Sequence, residues 1–227
     1  MESTAKLIVA LDLPDRRELL ALARQLIGNV GMVKVGLEAF IAHGPDLVSE
    51  IREMGHEVFL DLKVHDIPRT AAAAAREADR LGASLLTLHA AGGAEMIKAA
   101  REAASESLKI VAVTVLTSFN ESGFDEIGFR GDIGTAATGM AALAIENGAD
   151  GVVCSALELD SLSGIGGLRV VPGVRPQGSP KGDQKRVVTP AEAINMGATW
   201  IVVGRPIVQS PDPVAAAAAI VNELERS

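Results

Sequence analysis

Short apolar runs of strand length alternate along this chain with longer stretches in which apolar residues recur every three or four positions. Residues 7–11 form the first run, too short for a helix and rich enough in Leu, Ile and Val for a buried strand. It ends in Asp12, and beyond Pro14 a helical pattern over residues 16–27 repeats its apolar positions at Leu19, Leu20, Ala23 and Leu26. The same theme predicts a strand at 32–35 with a helix at 45–54, a strand at 58–62 with a helix body at 70–81, and a strand at 85–88 with a helix at 94–104. A strand at 110–116 follows, then a long polar connection to Asp132 and a helix at 135–147. Residues 151–154 with a short helix at 156–162, Val170 and Val171 with a helix at 190–196, and residues 200–203 with a helix at 213–224 complete the series. Apolar runs without alternation indicate strands buried on both faces, as in parallel sheets covered by helices. The expectation is a single (β/α)8 barrel, a TIM barrel in the α/β class, occupying residues 1–227 as one domain. A doubly wound dinucleotide fold would place Gly-x-Gly-x-x-Gly after an early strand, and none is present.

Against this pattern the polar residues fall in one place. Asp12, Lys34, Asp61, Lys63, His89, Thr117, Arg175 and Arg205 lie at or near the C-terminal ends of different predicted strands, the end at which barrel enzymes keep their sites. Asp61 and Lys63 are two residues apart, which on a strand gives them one face. Burying two ions costs several kcal/mol each unless they are paired and hydrogen-bonded. Pro68 suits the first turn of the next helix, so residues 63–69 form a strand-to-helix loop. A structural ion pair with Asp66 as a helix cap would account for Asp-x-Lys alone, but the run continues as Asp61-x-Lys63-x-x-Asp66-Ile67-Pro68-x-Thr70. Lys34, Asp61, Lys63 and Asp66 can form a row of alternating charges, which Asp12 could join unless it accepts a sugar hydroxyl. Gly204 permits close backbone approach and Arg205 presents a planar donor fork suited to phosphate oxygens. Arg175 and Gln184, on the preceding glycine- and proline-bearing loop, could close over the same anion. Thr117 and Ser118 could hydrogen-bond a polar heterocycle or begin a turn.

Bulk properties narrow the function. With 48% hydrophobic residues in 227 the chain can bury a sizeable core, and a net charge of −8 disfavours sequence-independent nucleic-acid binding while leaving room for a local anion site. Aromatics are 3% with no tyrosine, so platforms for stacking bases are scarce. One cysteine, Cys154, cannot form an internal disulfide, and no Cys/His spacing suits a metal, so no metal is expected. The first residues lack signal-peptide character and no run reaches the ~20 apolar residues of a membrane helix. A cytoplasmic protein with no nucleic-acid or membrane partner is expected.

The run from Asp61 to Thr70 resembles the active-site signature of the orotidine 5'-monophosphate decarboxylase family, in its bacterial form. Matching pieces run in order along the chain: residues 9–12 (VALD), 33–36 (VKVG), 61–70 (DLKVHDIPRT), 116–118 (LTS), 172–176 (PGVRP), 183–186 (DQKR) and 203–205 (VGR). The resemblance implies a cofactor-free (β/α)8 homodimer that converts orotidine 5'-monophosphate to UMP and CO2, the last step of de novo UMP synthesis. It implies Lys63 as proton donor, with Lys34, Asp61 and Asp66 in the charged row as catalytic groups. Asp12 would lie near the ribose and Thr117 at the pyrimidine, with Arg175, Gln184, Gly204 and Arg205 about the phosphate. Leu62, Val64, His65, Ile67, Pro68 and Arg69 belong to the same substrate-binding run, and Asp66 and Thr70 would reach the neighbouring subunit's site. Two rivals share the barrel. One is a Mg²⁺-dependent phosphosugar decarboxylase with an Asp-x-Lys-x-x-Asp core, such as a 3-keto-gulonate 6-phosphate decarboxylase; the other is a non-catalytic sensor of a phosphate ligand. Ile67-Pro68-x-Thr70 and the Arg175/Gln184 loop favour the nucleotide decarboxylase.

Overall fold

Eight parallel strands close on themselves in sequence order, each bonded to the next and the last to the first, in a computed structural model that describes residues 3–176 and 188–226. In chain order the elements are β1 (Leu7–Ala10), α1 (Arg16–Leu26), β2 (Met32–Gly36), α2 (Leu37–His43), α3 (Pro45–Glu53), β3 (Val58–Val64), α4 (Pro68–Arg80), β4 (Leu85–His89) and α5 (Gly93–Ala103). They continue with β5 (Lys109–Val113), α6 (Glu121–Glu126), α7 (Ile133–Glu146), β6 (Gly151–Val153), β7 (Leu168–Pro172), α8 (Pro190–Asn195), β8 (Trp200–Val203), α9 (Arg205–Val208) and α10 (Pro213–Glu225). The (β/α)8 barrel expected from the apolar runs is the fold observed.

Two apolar layers explain why the strands do not alternate. Ile8, Ala10, Met32, Phe59, Leu85, Val111, Val113, Val153, Val170 and Val202 fill the barrel interior. Their neighbours, among them Leu7, Val9, Val33, Val35, Leu60, Leu86 and Leu88, face the surrounding helices. Successive strand side chains point to opposite faces, so two buried faces require an unbroken apolar run. Helix starts follow local chemistry. Asp15, Asp132 and Asp212 each accept backbone N–H groups at the first turns of α1, α7 and α10. Thr189 and Glu192 form a reciprocal capping box at α8, and Pro68, Pro190 and Pro213 occupy first turns, where a missing N–H costs nothing.

The N-terminal end of the barrel is closed by polar ties. Trp200 Nε1 donates to the Ala5 carbonyl at 3.1 Å, and Asp150 accepts from Arg101 Nη1 at 3.0 Å and from the Ile110 N–H at 2.9 Å. The opposite end is left to the loops. Cys154 is buried in the core, and burial, with the Glu158 carboxylate adding, pushes its thiol up to about 12. No described helix is long and apolar enough to cross a membrane.

Three short helices escape the periodicity argument. α2 leaves Leu37 and Ile41 exposed, so its apolar residues mark no single buried stripe, and Gly44 at φ 71° separates it from α3. α6 lies within the long connection after β5, started by Asn120 accepting from the Gly123 N–H, and α9 is a single turn following Gly204. Residues 156–162 were expected as a short helix; they give one 3-10 turn, Ala156–Glu158, followed by further turns.

Candidate active site

On β1 to β4 the inward row of the barrel, followed towards the C-terminal end, changes from apolar to polar, and on β8 it ends in a glycine. Met32 is followed two residues on by Lys34, Phe59 by Asp61, Leu85 by Thr87 and then His89, Ala10 by Asp12, and Val202 by Gly204. The period of a strand thus carries the interior stacking directly into a layer of functional groups. Lys34 and Asp61 are each 9% exposed, Thr87 is fully buried, and Asp12 and Lys63 stand nearer solvent.

The charges are interlocked. Lys63 Nζ lies 2.8 Å from both carboxylate oxygens of Asp61. Lys34 Nζ lies 3.5 Å from Asp61 Oδ2 and 3.4 Å from Asp12 Oδ1, so one lysine ties strands β1, β2 and β3 together. Asp61 Oδ1 also accepts from the Thr87 hydroxyl at 2.9 Å. Burial opposes ionisation of Asp61, but Lys34, Lys63 and the two hydrogen bonds together outweigh it and hold the carboxyl below its ordinary range. Gly36 makes room for this: a β-carbon there would stand 3.0 Å from Lys34 Nζ and 3.2 Å from Asp12 Oδ1.

Asp61 and Lys63 do not meet as the regular same-face pair that strand alternation predicts. The register between β3 and β4 shifts between Leu60 and Val64, where three residues of β3 face the single residue Thr87. Within this bulge Lys63 adopts φ 49°, the one positive φ at a non-glycine residue among the described residues, a conformation costing about 1–2 kcal/mol for an L-residue. Such strain persists where surrounding contacts over-determine it, and it concentrates at functional sites.

A cavity of about 240 Å³ opens beside these groups, lined by Asp12, Lys34 and Asp61 together with Gly173, Arg175, Gly204 and Arg205. Six of the residues proposed for the site on sequence grounds therefore share one space. Lys63 is not part of that lining; its ammonium rests on the carboxylate of Asp61, which is. Leu62 and Val64 pack against the apolar layer under the helices. His65 stacks on His89 with ring centroids 5.3 Å apart, and burial, reinforced by electrostatic repulsion from His65 and Lys63, lowers His89 below the usual histidine range. Asp66, Ile67, Pro68 and Arg69 are exposed and Thr70 half-buried on the segment leading into α4. The Asp66 carboxylate accepts from the Ile67 N–H, and among the described residues it makes no ion pair with Lys63. Thr117 is exposed beyond β5, outside the cavity lining, and Gln184 lies outside the described residues. Among the described residues no group of three or more His, Cys, Asp and Glu side chains could hold a metal ion. Thr87 was not anticipated. Counting back by two from His89 to Leu85 would have found it on the inward row.

Fold and site together define a barrel enzyme whose charged groups gather at the C-terminal ends of its strands. A model of the Orotidine 5'-phosphate decarboxylase / HUMPS family matches residues 5–220, and the chain belongs to that family. It is 50% identical over 227 residues to the orotidine 5'-phosphate decarboxylase of Anaeromyxobacter sp. (strain K), covering 99% of this chain and 100% of that one. It is 47% identical over 237 residues to that of Moorella thermoacetica, covering 99% and 94%. The crystal structure of orotidine 5'-phosphate decarboxylase from Lactobacillus acidophilus superimposes with a TM-score of 0.86 at 37% identity, covering 96% of this chain and 98% of that one.

Proposed function

We propose that the protein decarboxylates orotidine 5'-phosphate to UMP and CO2 in the last step of de novo UMP synthesis, as one catalytic domain in the cytoplasm. The observation that carries this reading is the ammonium of Lys63, fixed against Asp61 and backed by Lys34, beside a cavity whose lining also holds Gly204 and Arg205. Breaking the bond between C6 and the carboxyl leaves an electron pair on C6 that cannot delocalise into the ring. Lys63 serves twice: its positive charge stabilises the developing carbanion, and its proton then passes to C6, after which water returns a proton to the amine. A charge already positioned stabilises the transition state without reorganising. Asp61 stands near the departing carboxylate, whose charge is lost as neutral CO2 leaves. Asp12 takes the ribose and Thr117 the pyrimidine, while Arg175, Gln184, Gly204 and Arg205 hold the phosphate. Binding energy from that remote phosphate helps assemble the charged row around the ring.

Two copies complete the site in this reading. Asp66 and Thr70 stand about the start of α4 and serve the neighbouring subunit. Exposed Leu37, Ile41 and Ile67, on α2 and on the loop after the next strand, supply apolar surface for such a contact. The direct test mixes purified protein with orotidine 5'-phosphate in EDTA and follows loss of the orotate absorbance. Undiminished turnover supports a metal-free decarboxylase. Activity that appears only on restoring Mg²⁺ favours the phosphosugar type of chemistry, and no turnover under either condition contradicts the proposal.

A further inference from the structure

We infer that Thr87 is a positioning residue for the decarboxylation, a hydroxyl that fixes both ends of Lys63 relative to Asp61; the inference rests on the reading of Lys63 and Asp61 as reacting groups. Thr87 stands fully buried on β4, alone opposite the three-residue bulge of β3. Its Oγ1 accepts from the Lys63 backbone N–H at 2.8 Å and donates to Asp61 Oδ1 at 2.9 Å. That oxygen of Asp61 in turn accepts from Lys63 Nζ at 2.8 Å. The contacts form a closed ring that leaves Lys63 through its backbone and returns through its side chain.

Two features distinguish this from an ordinary satisfied hydroxyl. The left-handed backbone of Lys63 takes its N–H out of the strand ladder, and a buried N–H needs some acceptor. Thr87 supplies it from a side chain, so the strained conformation that aims the lysine is held by the neighbouring strand. A hydroxyl also has one hydrogen to give. With the N–H of Lys63 already pointing at its oxygen, that hydrogen goes to the carboxylate, which fixes the rotation of Asp61 and thereby the seat of the ammonium. Neither β-branched packing nor burial alone requires this pair of partners.

The test compares Thr87→Val, which keeps shape and removes the hydroxyl, with Thr87→Ser, which keeps the hydroxyl and removes the methyl group. Titration with UMP counts folded sites, so kcat is read per competent site. A hydrogen bond to a charged group changes an equilibrium by about 10- to 100-fold, and a loss of that size is expected in the kcat of Thr87→Val, with KM within about threefold of wild type. Thr87→Ser should recover kcat to within about threefold. The inference is overturned if Thr87→Val keeps its kcat per site, or if Thr87→Ser loses as much as Thr87→Val, since shape alone would then matter. Should Thr87→Val fail to fold, Thr87→Cys, with its weakly bonding thiol, takes its place against Thr87→Ser under the same criteria. Lys63→Ala run alongside separates the two levels: wild-type rates in that variant remove the reading of Lys63 itself, whatever Thr87 does.

Discussion

Replacing Lys34 with methionine removes one charge from the middle of the interlocked row at nearly constant volume. Lys34 and Asp61 lie 3.5 Å apart with side chains 11% and 12% exposed, and at an effective dielectric of about 20 such charges attract by about 5 kcal/mol. Desolvation of the ammonium offsets part of that attraction, and breaking a buried pair by removing one partner costs about 3–5 kcal/mol net. Asp61 retains Lys63 at 2.8 Å, and Asp12, with 54% of its side chain exposed, can be hydrated, so the lower figure applies. A loss of about 3 kcal/mol lowers the melting temperature by roughly 6–12 °C in a chain of this size. The pH dependence has a definite sign. Asp61 titrates below its unfolded value because the cations outweigh its burial, so the stability it contributes is present above the ordinary carboxylate range and is lost as pH falls through the folded value. Without Lys34 that folded value rises. Thermal melts should therefore show the largest gap between wild type and Lys34→Met near about pH 7 and a narrowing gap below about pH 4. Melting temperatures within about 1 °C at neutral pH, or a gap that stays constant on acidification, would refute the account of Lys34 as a buried countercharge of Asp61.

Two further outcomes follow from the proposed roles. Arg205→Ala should raise KM for orotidine 5'-phosphate about 10- to 100-fold, the worth of a charge-assisted hydrogen bond, while barely changing turnover of the phosphate-free nucleoside; equal losses on both substrates would contradict a phosphate contact. Mixing Lys63→Ala with Asp66→Asn subunits should restore about a quarter of wild-type activity after random exchange, because half the dimers then carry one site with neither lesion. No recovery after confirmed exchange would mean self-contained sites.

Much of this site could be read from the chain because a charge that ends an apolar strand has few idle explanations. Asp12, Lys34, Asp61 and Arg205 each interrupt or follow such a run, and the structure gathers all four at one cavity. The barrel was readable for the same reason, since strands buried on both faces leave no alternation. What escaped lacks a periodic signal. α2 and α9 are too short for a helical repeat, and Thr87 within Leu85–His89 is an ordinary strand residue by composition. The left-handed φ of Lys63 has no local cause at all: it comes from the bulge opposite β4 and the hydroxyl that captures its N–H, a tertiary effect. The role proposed for Asp66 calls on a second chain, and the expected contact of Gln184 falls outside the described residues.

The central claim is that the ammonium of Lys63 both stabilises and protonates C6. Single-turnover decarboxylation by Lys63→Ala, with folding verified by its melting curve and by UMP binding, tests it most directly. The account predicts a rate at least about a thousandfold below wild type, since general acid catalysis and preorganised charge are lost together. A folded, ligand-binding Lys63→Ala that decarboxylates within about tenfold of wild type would contradict it.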